Sequence, residues 1–245
     1  MILTTDLDNT LIYSYKHDIG NEKRCAEIYR GREISFITEK TFDLLKMVKN
    51  KMLIIPVTTR TEEQYRRIDL GVGEFEYALV CNGGVMLKNG IEDNAWYRES
   101  LDMTEESLPE IKKAAAILAQ DKNVCFEIRC IRDLFVFTKS NTPVQSAERL
   151  RNGTDADLVD IFTNGAKVYA VPKKLNKGTA VARLRNYLGE SAVAAAGDSE
   201  FDIPMILVSD FAVCPEGLVP ERENIVFTGE NELLSERMLS EVLSL

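Results

Sequence analysis

Histidine is scarce in this sequence of 245 residues, which contains a single one, His17. A hydrolase built on a Ser–His or Cys–His pair would need this residue as its base, and no nucleophile-elbow motif accompanies it. The five cysteines are scattered without CxxC spacing, so we expect no zinc site. We interpret them as reduced thiols, which are typical of the cytosol.

Positive charge and long apolar runs are also in short supply. Lys and Arg number 30 against 39 Asp and Glu, which gives a formal net charge of −9. A field of this sign repels phosphate backbones, so we expect no nucleic-acid partner, although a small anionic substrate is compatible with a few cations gathered locally. No apolar stretch is long enough to span a bilayer and no signal-peptide pattern is visible. We therefore expect a cytoplasmic protein without a membrane partner.

Short apolar runs that are typical of buried strands alternate with helical patterns. Helical patterns occur at 38–50, with Thr38 as the N-cap, at 177–189 and at the C-terminal end. The strand-like runs are ILTT at 2–5, MLIIPVTT at 52–59, YALVCNG at 77–83, AVAAAG at 192–197, DFAVC at 210–214 and NIVFTG at 224–229. This alternation predicts an α/β fold with a doubly wound, mostly parallel, Rossmann-like sheet.

The middle of the chain has a different pattern, which predicts a second domain. A hairpin over 84–100, with its turn at Asn89–Gly90, is followed by a helix at about 104–121. Two strands, a short helix near 143–152 and two further strands complete the pattern. We therefore predict an inserted α+β domain at 84–172.

The remaining residues, 1–83 and 173–245, form the predicted core. Its segment 13–37 is polar and aromatic, and it is longer than a usual βα loop. Because the segment directly follows Asp6 and Asp8, we expect it to hang over this pair of carboxylates.

Polar and charged residues follow the predicted parallel strands at their carboxyl ends, where open α/β sheets bind ligands. Asp6 and Asp8 are two residues apart, so their like charges would lie side by side. Such a pair is tolerated when a cation binds between them, when one carboxylate holds a proton, or when both are solvated. The other residues predicted at this rim are Thr10, Thr58, Thr59, Arg60, Asn82, Gly83, Gly84, Lys177, Gly197, Asp198, Ser199 and Asp202.

Four motifs occur in order along the chain: DLDNT at 6–10, TTR at 58–60, KG at 177–178 and GDSEFDIPM at 197–205. Together they resemble the ordered motifs of the haloacid dehalogenase (HAD) superfamily phosphatases. The insertion between the second and third motifs, entered at NGG (82–84), is similar to the branch with a large α/β cap. That branch includes cof-like and sucrose-phosphatase-like enzymes. The resemblance covers the whole chain, which makes it more specific than any single motif.

The resemblance implies a mechanism of phosphate-ester hydrolysis. Asp6 would be the nucleophile that forms an aspartyl-phosphate, and Asp8 the general acid and then the general base. Mg²⁺ would be bound by Asp6, by the backbone carbonyl of Asp8 and by Asp198. Asp202 and Ser199 would support the metal site. A bound metal and a titrating proton would make the close Asp pair tolerable.

The same resemblance implies roles for the remaining rim residues. Lys177, which Asp202 could orient, would stabilise the charge that develops during phosphoryl transfer. Thr58 would donate a hydrogen bond to a phosphoryl oxygen. Thr59 stands where the family usually has glycine, so the hydroxyl of Thr59 is the alternative, and the offset to Arg60 favours Thr58. The residues expected to contact the substrate are Thr59, Arg60, Asn82 and Gly83.

The predicted function is the Mg²⁺-dependent hydrolysis of a small organic phosphate monoester, with a sugar phosphate as the default substrate. One alternative is a phosphotransferase or phosphomutase of the same superfamily, in which another hydroxyl takes the phosphoryl group. The other is a non-catalytic phosphate- or metal-binding protein, which we would expect to lack one of the acids or the lysine. In the predicted cap, Glu127, Arg129 and Lys139 are candidates for contacting the leaving group.

Overall fold

The computed structural model describes residues 1–189, 192–229 and 231–245. Its helices are α1 (Glu39–Lys51), α2 (Glu62–Tyr65), α3 (Asn94–Thr104), α4 (Leu108–Ala119), α5 (Pro143–Gly153), α6 (Lys177–Leu188), α7 (Ile203–Val208) and α8 (Leu234–Ser244). Its strands are β1 (Ile2–Thr5), β2 (Tyr13–Ser14), β3 (Lys23–Tyr29), β4 (Arg32–Thr38), β5 (Leu53–Pro56), β6 (Tyr77–Val80), β7 (Val85–Lys88), β8 (Ile91–Glu92), β9 (Arg129–Ile131), β10 (Phe135–Lys139), β11 (Val159–Asn164), β12 (Lys167–Pro172), β13 (Val193–Ala196), β14 (Phe211–Pro215) and β15 (Ile225–Thr228).

The chain divides into two compact units. The first combines Met1–Asp93 with Lys177–Leu245, and the second is Asn94–Asn176. Among the helices of the described ranges, none combines the length and the apolarity needed to cross a bilayer.

A five-stranded parallel sheet with the order β15-β14-β13-β1-β5 forms the centre of the first unit. β6 lies beside the end of β5, since Val57 pairs with Leu79 and the N–H of Thr58 donates to the Leu79 carbonyl at 2.8 Å. The chain therefore builds outward from β1 first on one side and later on the other. This reversal places the carboxyl end of β1 at a topological switch point. The predicted doubly wound α/β fold is confirmed.

Helices α1 and α8 pack together against one face of this sheet. Their buried apolar residues, among them Leu45, Val48 and Leu239, form a single core cluster with Leu3 and Ile54 of the strands. The predicted N-cap of α1 is present, because the Thr38 hydroxyl accepts a hydrogen bond from the N–H of Thr41 at 2.9 Å.

An antiparallel hairpin extends β6 and determines where the first unit ends. β6 pairs with β7, and β7 pairs with β8 around the predicted turn at Asn89–Gly90, where both residues have positive φ. The predicted insertion at 84–172 includes this hairpin, whereas strand pairing joins the hairpin to β6 and the second unit runs from Asn94 to Asn176. The hairpin was also expected to reach residue 100, but residues 94–100 lie in α3.

The segment 13–37 is a sheet of its own, with the strand order β2-β4-β3. β3 and β4 pair antiparallel, and their register shifts around Glu27. A bulge of this kind re-aims a side chain relative to regular alternation. Glu27 is 2% exposed, so its carboxylate lies inside the first unit.

The second unit is an α+β arrangement with its own core. Its antiparallel sheet has the order β11-β12-β10-β9, and α4 and α5 contribute to one apolar cluster with the strands. Arg129 forms an ion pair with Glu127 at 3.2 Å, and the Lys139 ammonium lies 5.1 Å from the Phe126 ring centroid.

Candidate active site

The residues that follow β1 turn sharply at the switch point. The N–H of Asp6 continues the ladder by donating to the Ala196 carbonyl at 2.9 Å, and the Leu7 carbonyl then accepts several N–H groups of the next turn. Asn9 has a φ of 58°, a left-handed conformation that asparagine adopts more readily than most residues. The Asp6 residue is 6% exposed, whereas the side chain of Asp8 is 48% exposed.

Lys177, the first residue of α6, brings an ammonium group to this turn. Its side chain is 1% exposed and its Nζ donates to Asp6 Oδ1 and to Asp202 Oδ1, both at 2.5 Å. An ammonium at a helix N-terminus is unfavourable by itself, and two buried carboxylates compensate for its position. The structure thus joins residues from three distant parts of the chain.

Asp202 holds the turn after β13 as well as the lysine. Its Oδ2 accepts hydrogen bonds from the N–H of Asp198 at 3.1 Å, and from the N–H and Oγ of Ser199 at 3.0 and 2.8 Å. A Cβ at Gly197 would lie 2.2 Å from the Asp202 Cβ, so only glycine allows this approach. Both carboxylate oxygens of Asp202 are therefore engaged by the protein.

Burial and mutual charge shift the pKa values of the cluster. Burial raises the pKa of Asp6 well above its ordinary value; Lys177 opposes this rise and the charge of Asp202 adds to it. Burial and the charge of Asp202 raise the pKa of Asp198 to about 6. Burial lowers the pKa of Lys177, but the charges of Asp202 and Asp6 outweigh it, so the pKa lies above its ordinary value and the ammonium keeps its charge.

The arrangement of carboxylates fits a hard divalent cation. One oxygen each from Asp6, Asp198 and Asp202 lies within 4.8 Å of the others. Since Asp202 already binds Lys177 and the turn, Asp6 and Asp198 are the carboxylates suited to ligate a metal. Oxygen ligands of this kind match Mg²⁺. The Thr10 hydroxyl donates to Asp198 Oδ1 at 3.4 Å, which helps to orient that side chain.

The two threonines after β5 lie at the same end of the sheet. Thr58 is fully buried and its Oγ1 accepts a hydrogen bond from the N–H of Arg60 at 3.2 Å. Thr59 is partly exposed, and it is not among the residues with positive φ, so its β-branched side chain causes no left-handed strain. Which hydroxyl serves a phosphate therefore stays a prediction, with Thr58 favoured by its place in the motif.

The loop after β6 is joined to the loop after β5 by backbone hydrogen bonds. The N–H of Cys81 donates to the Arg60 carbonyl at 2.7 Å, and the N–H of Asn82 donates to the Thr58 carbonyl at 2.8 Å. Asn82 is 2% exposed, and Asn82 and Gly83 both have positive φ. The predicted contacts of Asn82 and Gly83 with a substrate stay predictions.

The structure also reveals a carboxylate that the sequence analysis did not single out. The guanidinium of Arg60 binds Asp8 through two hydrogen bonds of 2.7 Å and binds Glu27 at 2.9 Å. Arg67 also pairs with Glu27, at 3.0 Å. Glu27 belongs to no motif, and the bulge that re-aims it leaves no sign in the spacing of polar residues.

These observations describe an α/β fold whose rim places carboxylates around one buried lysine. Residues 91–216, half of the chain, match the haloacid dehalogenase-like hydrolase family. The chain belongs to this family, which confirms the resemblance seen in its motifs and makes it a hydrolase. The matched residues include Lys177, Asp198 and Asp202.

Individual relatives are more distant. The chain is 24% identical over 217 residues to a phosphoglycolate phosphatase of Sulfurisphaera tokodaii. The alignment covers 85% of this chain and 86% of the relative. The structure of the sucrose-phosphatase of Synechocystis with sucrose and phosphate is similar to this one, with a TM-score of 0.67 and 17% sequence identity. The superposition covers 100% of this chain and 97% of the sucrose-phosphatase chain. The structure of an IMP-bound, N-terminally truncated IMP-nucleotidase of Plasmodium falciparum is also similar, with a TM-score of 0.63 and 16% sequence identity. This superposition covers 100% of this chain and 68% of the nucleotidase chain.

Proposed function

We propose that this protein is a Mg²⁺-dependent phosphatase that hydrolyses a small organic phosphate monoester through an aspartyl-phosphate on Asp6. A sugar phosphate is the default substrate. Family membership and the activities for which the three relatives above are named, all on small phosphate esters, support the phosphatase class. Assignment of the chemistry to the first unit, and of leaving-group selection to the inserted unit, is part of the proposal.

The observation that carries the proposal is the buried contact between Asp6 and Lys177. The Lys177 ammonium, 2.5 Å from Asp6 Oδ1, opposes the rise in the pKa of Asp6 that burial causes, and so favours the ionised form that a nucleophile needs. The same ammonium lies where it can stabilise charge on the transferring phosphoryl group. A merely structural ion pair would not require Asp8 and Asp198 at the same rim.

In the first step, a carboxylate oxygen of Asp6 attacks phosphorus and the bond from phosphorus to the leaving oxygen breaks. Asp8 donates its proton to that oxygen, which departs as an alcohol. Thr58 and Lys177 bind the phosphoryl oxygens meanwhile. In the second step, Asp8 takes a proton from the water that attacks phosphorus, and inorganic phosphate leaves as the Asp6 carboxylate is restored.

Asp6, Asp198 and the backbone carbonyl of Asp8 would hold the Mg²⁺. When bound, the ion would screen the negative charge of the phosphoryl oxygens from the attacking carboxylate. Asp202 would keep Lys177 and the turn at Asp198 in place, because both of its oxygens are engaged there.

The direct test is a panel of phosphorylated metabolites, including sugar phosphates, phosphoglycolate and nucleoside monophosphates, assayed for phosphate release with Mg²⁺ and with EDTA. Asp6→Asn should reduce turnover by about 1000-fold or more while the fold is retained. Asp43→Asn is the matched control, since it removes the same charge at an exposed position of α1. Mass spectrometry after rapid quenching should find the phosphoryl group on the peptide that contains Asp6.

Three outcomes would contradict the proposal. Near-full activity of Asp6→Asn would show that Asp6 is not the nucleophile. Predominant transfer to an added alcohol would indicate the phosphotransferase alternative. Binding of phosphate or Mg²⁺ without turnover of any ester would indicate the non-catalytic alternative.

A further inference from the structure

Arg60 is committed almost entirely to protein acceptors. Its Nε and Nη2 bind the two oxygens of Asp8, each at 2.7 Å, and its Nη1 binds Glu27 and the Gln64 carbonyl at 2.9 and 3.3 Å. These four hydrogen bonds use all but one of the N–H groups that a guanidinium carries. The side chain is only 12% exposed. Little donor capacity is left for a phosphate or a sugar.

Arg60 binds Asp8 through a bidentate contact, with one hydrogen bond to each carboxylate oxygen. Such a bidentate pair fixes the rotation of a carboxylate as well as its distance, which a single contact cannot do. Asp8 needs this restraint because its side chain is 48% exposed and follows a tight turn. An exposed aspartate without a partner would sample several rotamers.

Glu27 holds Arg60 in place by accepting a hydrogen bond from its Nη1. Its side chain is 0% exposed, and its oxygens accept hydrogen bonds from Arg60, from Arg67 at 3.0 Å and from the Ser35 hydroxyl at 3.0 Å. A buried carboxylate with three donors is held firmly, because any departure would leave an unpaired buried charge. Glu27 comes from β3, so the 13–38 sheet reaches the rim through this residue.

We infer that Arg60 and Glu27 are positioning residues for Asp8: Arg60 sets the orientation of the Asp8 carboxylate for proton transfer, and Glu27 acts through Arg60. This inference rests on the proposed function, in which Asp8 is the general acid and base. It gives Arg60 a role other than the substrate contact expected from its motif. The antiparallel sheet of the 13–38 segment then becomes a support of the catalytic turn.

The test compares two substrates that differ in how much they need an acid. An alkyl phosphate has a poor leaving group and requires protonation, whereas p-nitrophenyl phosphate requires little. Arg60→Gln should lower kcat for the alkyl phosphate by about 100-fold and for p-nitrophenyl phosphate by less than about tenfold, with KM values within about threefold of wild type. Glu27→Gln should also lower kcat more for the alkyl phosphate than for p-nitrophenyl phosphate, but by smaller factors than Arg60→Gln.

Arg67→Gln is the matched control. It removes one of the two cations that pair with Glu27, and within the described part of the chain the ion-pair partners of Arg67 are Glu27 and Glu63 rather than Asp8. The ratio of the two kcat values should therefore change much less than with Arg60→Gln. In an Arg60→Gln background, Glu27→Gln should cause no further change in this ratio, because Glu27 acts only through Arg60.

Several results would overturn the inference: equal losses of kcat on both substrates, a change confined to KM, or a shift in the ratio with Arg67→Gln as large as with Arg60→Gln. If Arg60→Gln does not fold by circular dichroism, Arg60→Lys replaces it. Lysine keeps the charge and loses the two-point contact, so wild-type constants on both substrates would also overturn the inference. A wild-type protein that hydrolyses neither these two substrates nor any ester of the panel would contradict the proposed function itself.

Discussion

Asp202 illustrates how much one side chain can determine at this site. It accepts hydrogen bonds from Lys177 on one oxygen and from Asp198 and Ser199 on the other, and it is completely buried. All its partners are donors, so both oxygens must be acceptors. Only an ionised carboxylate satisfies that requirement.

We predict that Asp202→Asn destabilises the protein although asparagine has nearly the same shape. One end of the amide is a donor, which would face either the Lys177 ammonium or the N–H groups of the turn. Breaking a buried pair of this kind costs about 3–5 kcal/mol. Thermal unfolding should show a decrease in Tm of about 10 °C.

Ser199→Ala is the control for this prediction, because it removes a single hydroxyl donor to the same oxygen. Its expected cost is about 1 kcal/mol. A Tm for Asp202→Asn within about 2 °C of that of Ser199→Ala, a difference in stability of about 1 kcal/mol or less, would show that the ionised carboxylate is not required.

Residue chemistry explains which parts of the site were predictable. Asp6, Lys177 and Asp198 could be placed together from the sequence because each follows a strand or opens a helix in a recognisable motif, and parallel strands deliver such residues to one edge. Glu27 could not be placed. Its burial depends on a register shift between β3 and β4, and a single extra residue in a ladder has no periodic signal.

At the scale of elements, the site depends on the close approach of α6 to α7. A Cβ at Gly178 would lie 2.5 Å from the Pro204 carbonyl oxygen, and backbone atoms cannot move aside as a flexible side chain can. Lys177 precedes this glycine, so the helix contact sets the position of the ammonium.

We predict that Gly178→Ala separates the two helices, destabilises the protein by about 2–3 kcal/mol and decreases phosphatase turnover by displacing Lys177. Thermal unfolding and kcat on the best substrate of the panel would measure both effects. Ala182→Gly is the control: it exchanges the same residue types in the opposite direction at an exposed site of α6 and should cost about 1 kcal/mol without a specific loss of turnover. Wild-type stability of Gly178→Ala would contradict the prediction.

The elements also differ in how well their patterns could be interpreted. α1 was predictable because Thr38 caps it and its apolar residues recur with helical spacing. α3 was missed because the buried face contains Ser100 and Thr104 beside Trp96, and these hydroxyls donate to carbonyls of the preceding turn. A helix whose buried face is partly polar has weak hydrophobic periodicity.

At the scale of the whole molecule, part of the excess of negative charge lies where a cation is expected. The chain has a formal net charge of −9, and three carboxylates of the rim share one lysine. Mutual repulsion in the metal-free protein opposes folding, and a bound dication relieves it. Stability should therefore depend on both Mg²⁺ and pH.

The sign of the pH dependence follows from Asp198. Burial and the charge of Asp202 raise the pKa of Asp198 from 3.8 to about 6. The folded, metal-free protein thus holds a proton there that the unfolded chain has already lost, so this group's contribution to stability falls as pH rises between the two values. Binding of Mg²⁺ requires the ionised form and should weaken below pH 6.

We predict that Mg²⁺ at about 100 times its dissociation constant stabilises the protein by about 2.7 kcal/mol at pH 7.5, an increase in Tm of about 5–10 °C. The increase should become much smaller at pH 5, because Asp198 is then mostly protonated. Asp198→Asn should lose the Mg²⁺ effect at both pH values and should be at least as stable as the wild type without metal at pH 7.5. Asp43→Asn, with NaCl at matched ionic strength, controls for general charge screening. An equal Mg²⁺-induced increase in Asp198→Asn and wild type would show that the ion binds elsewhere.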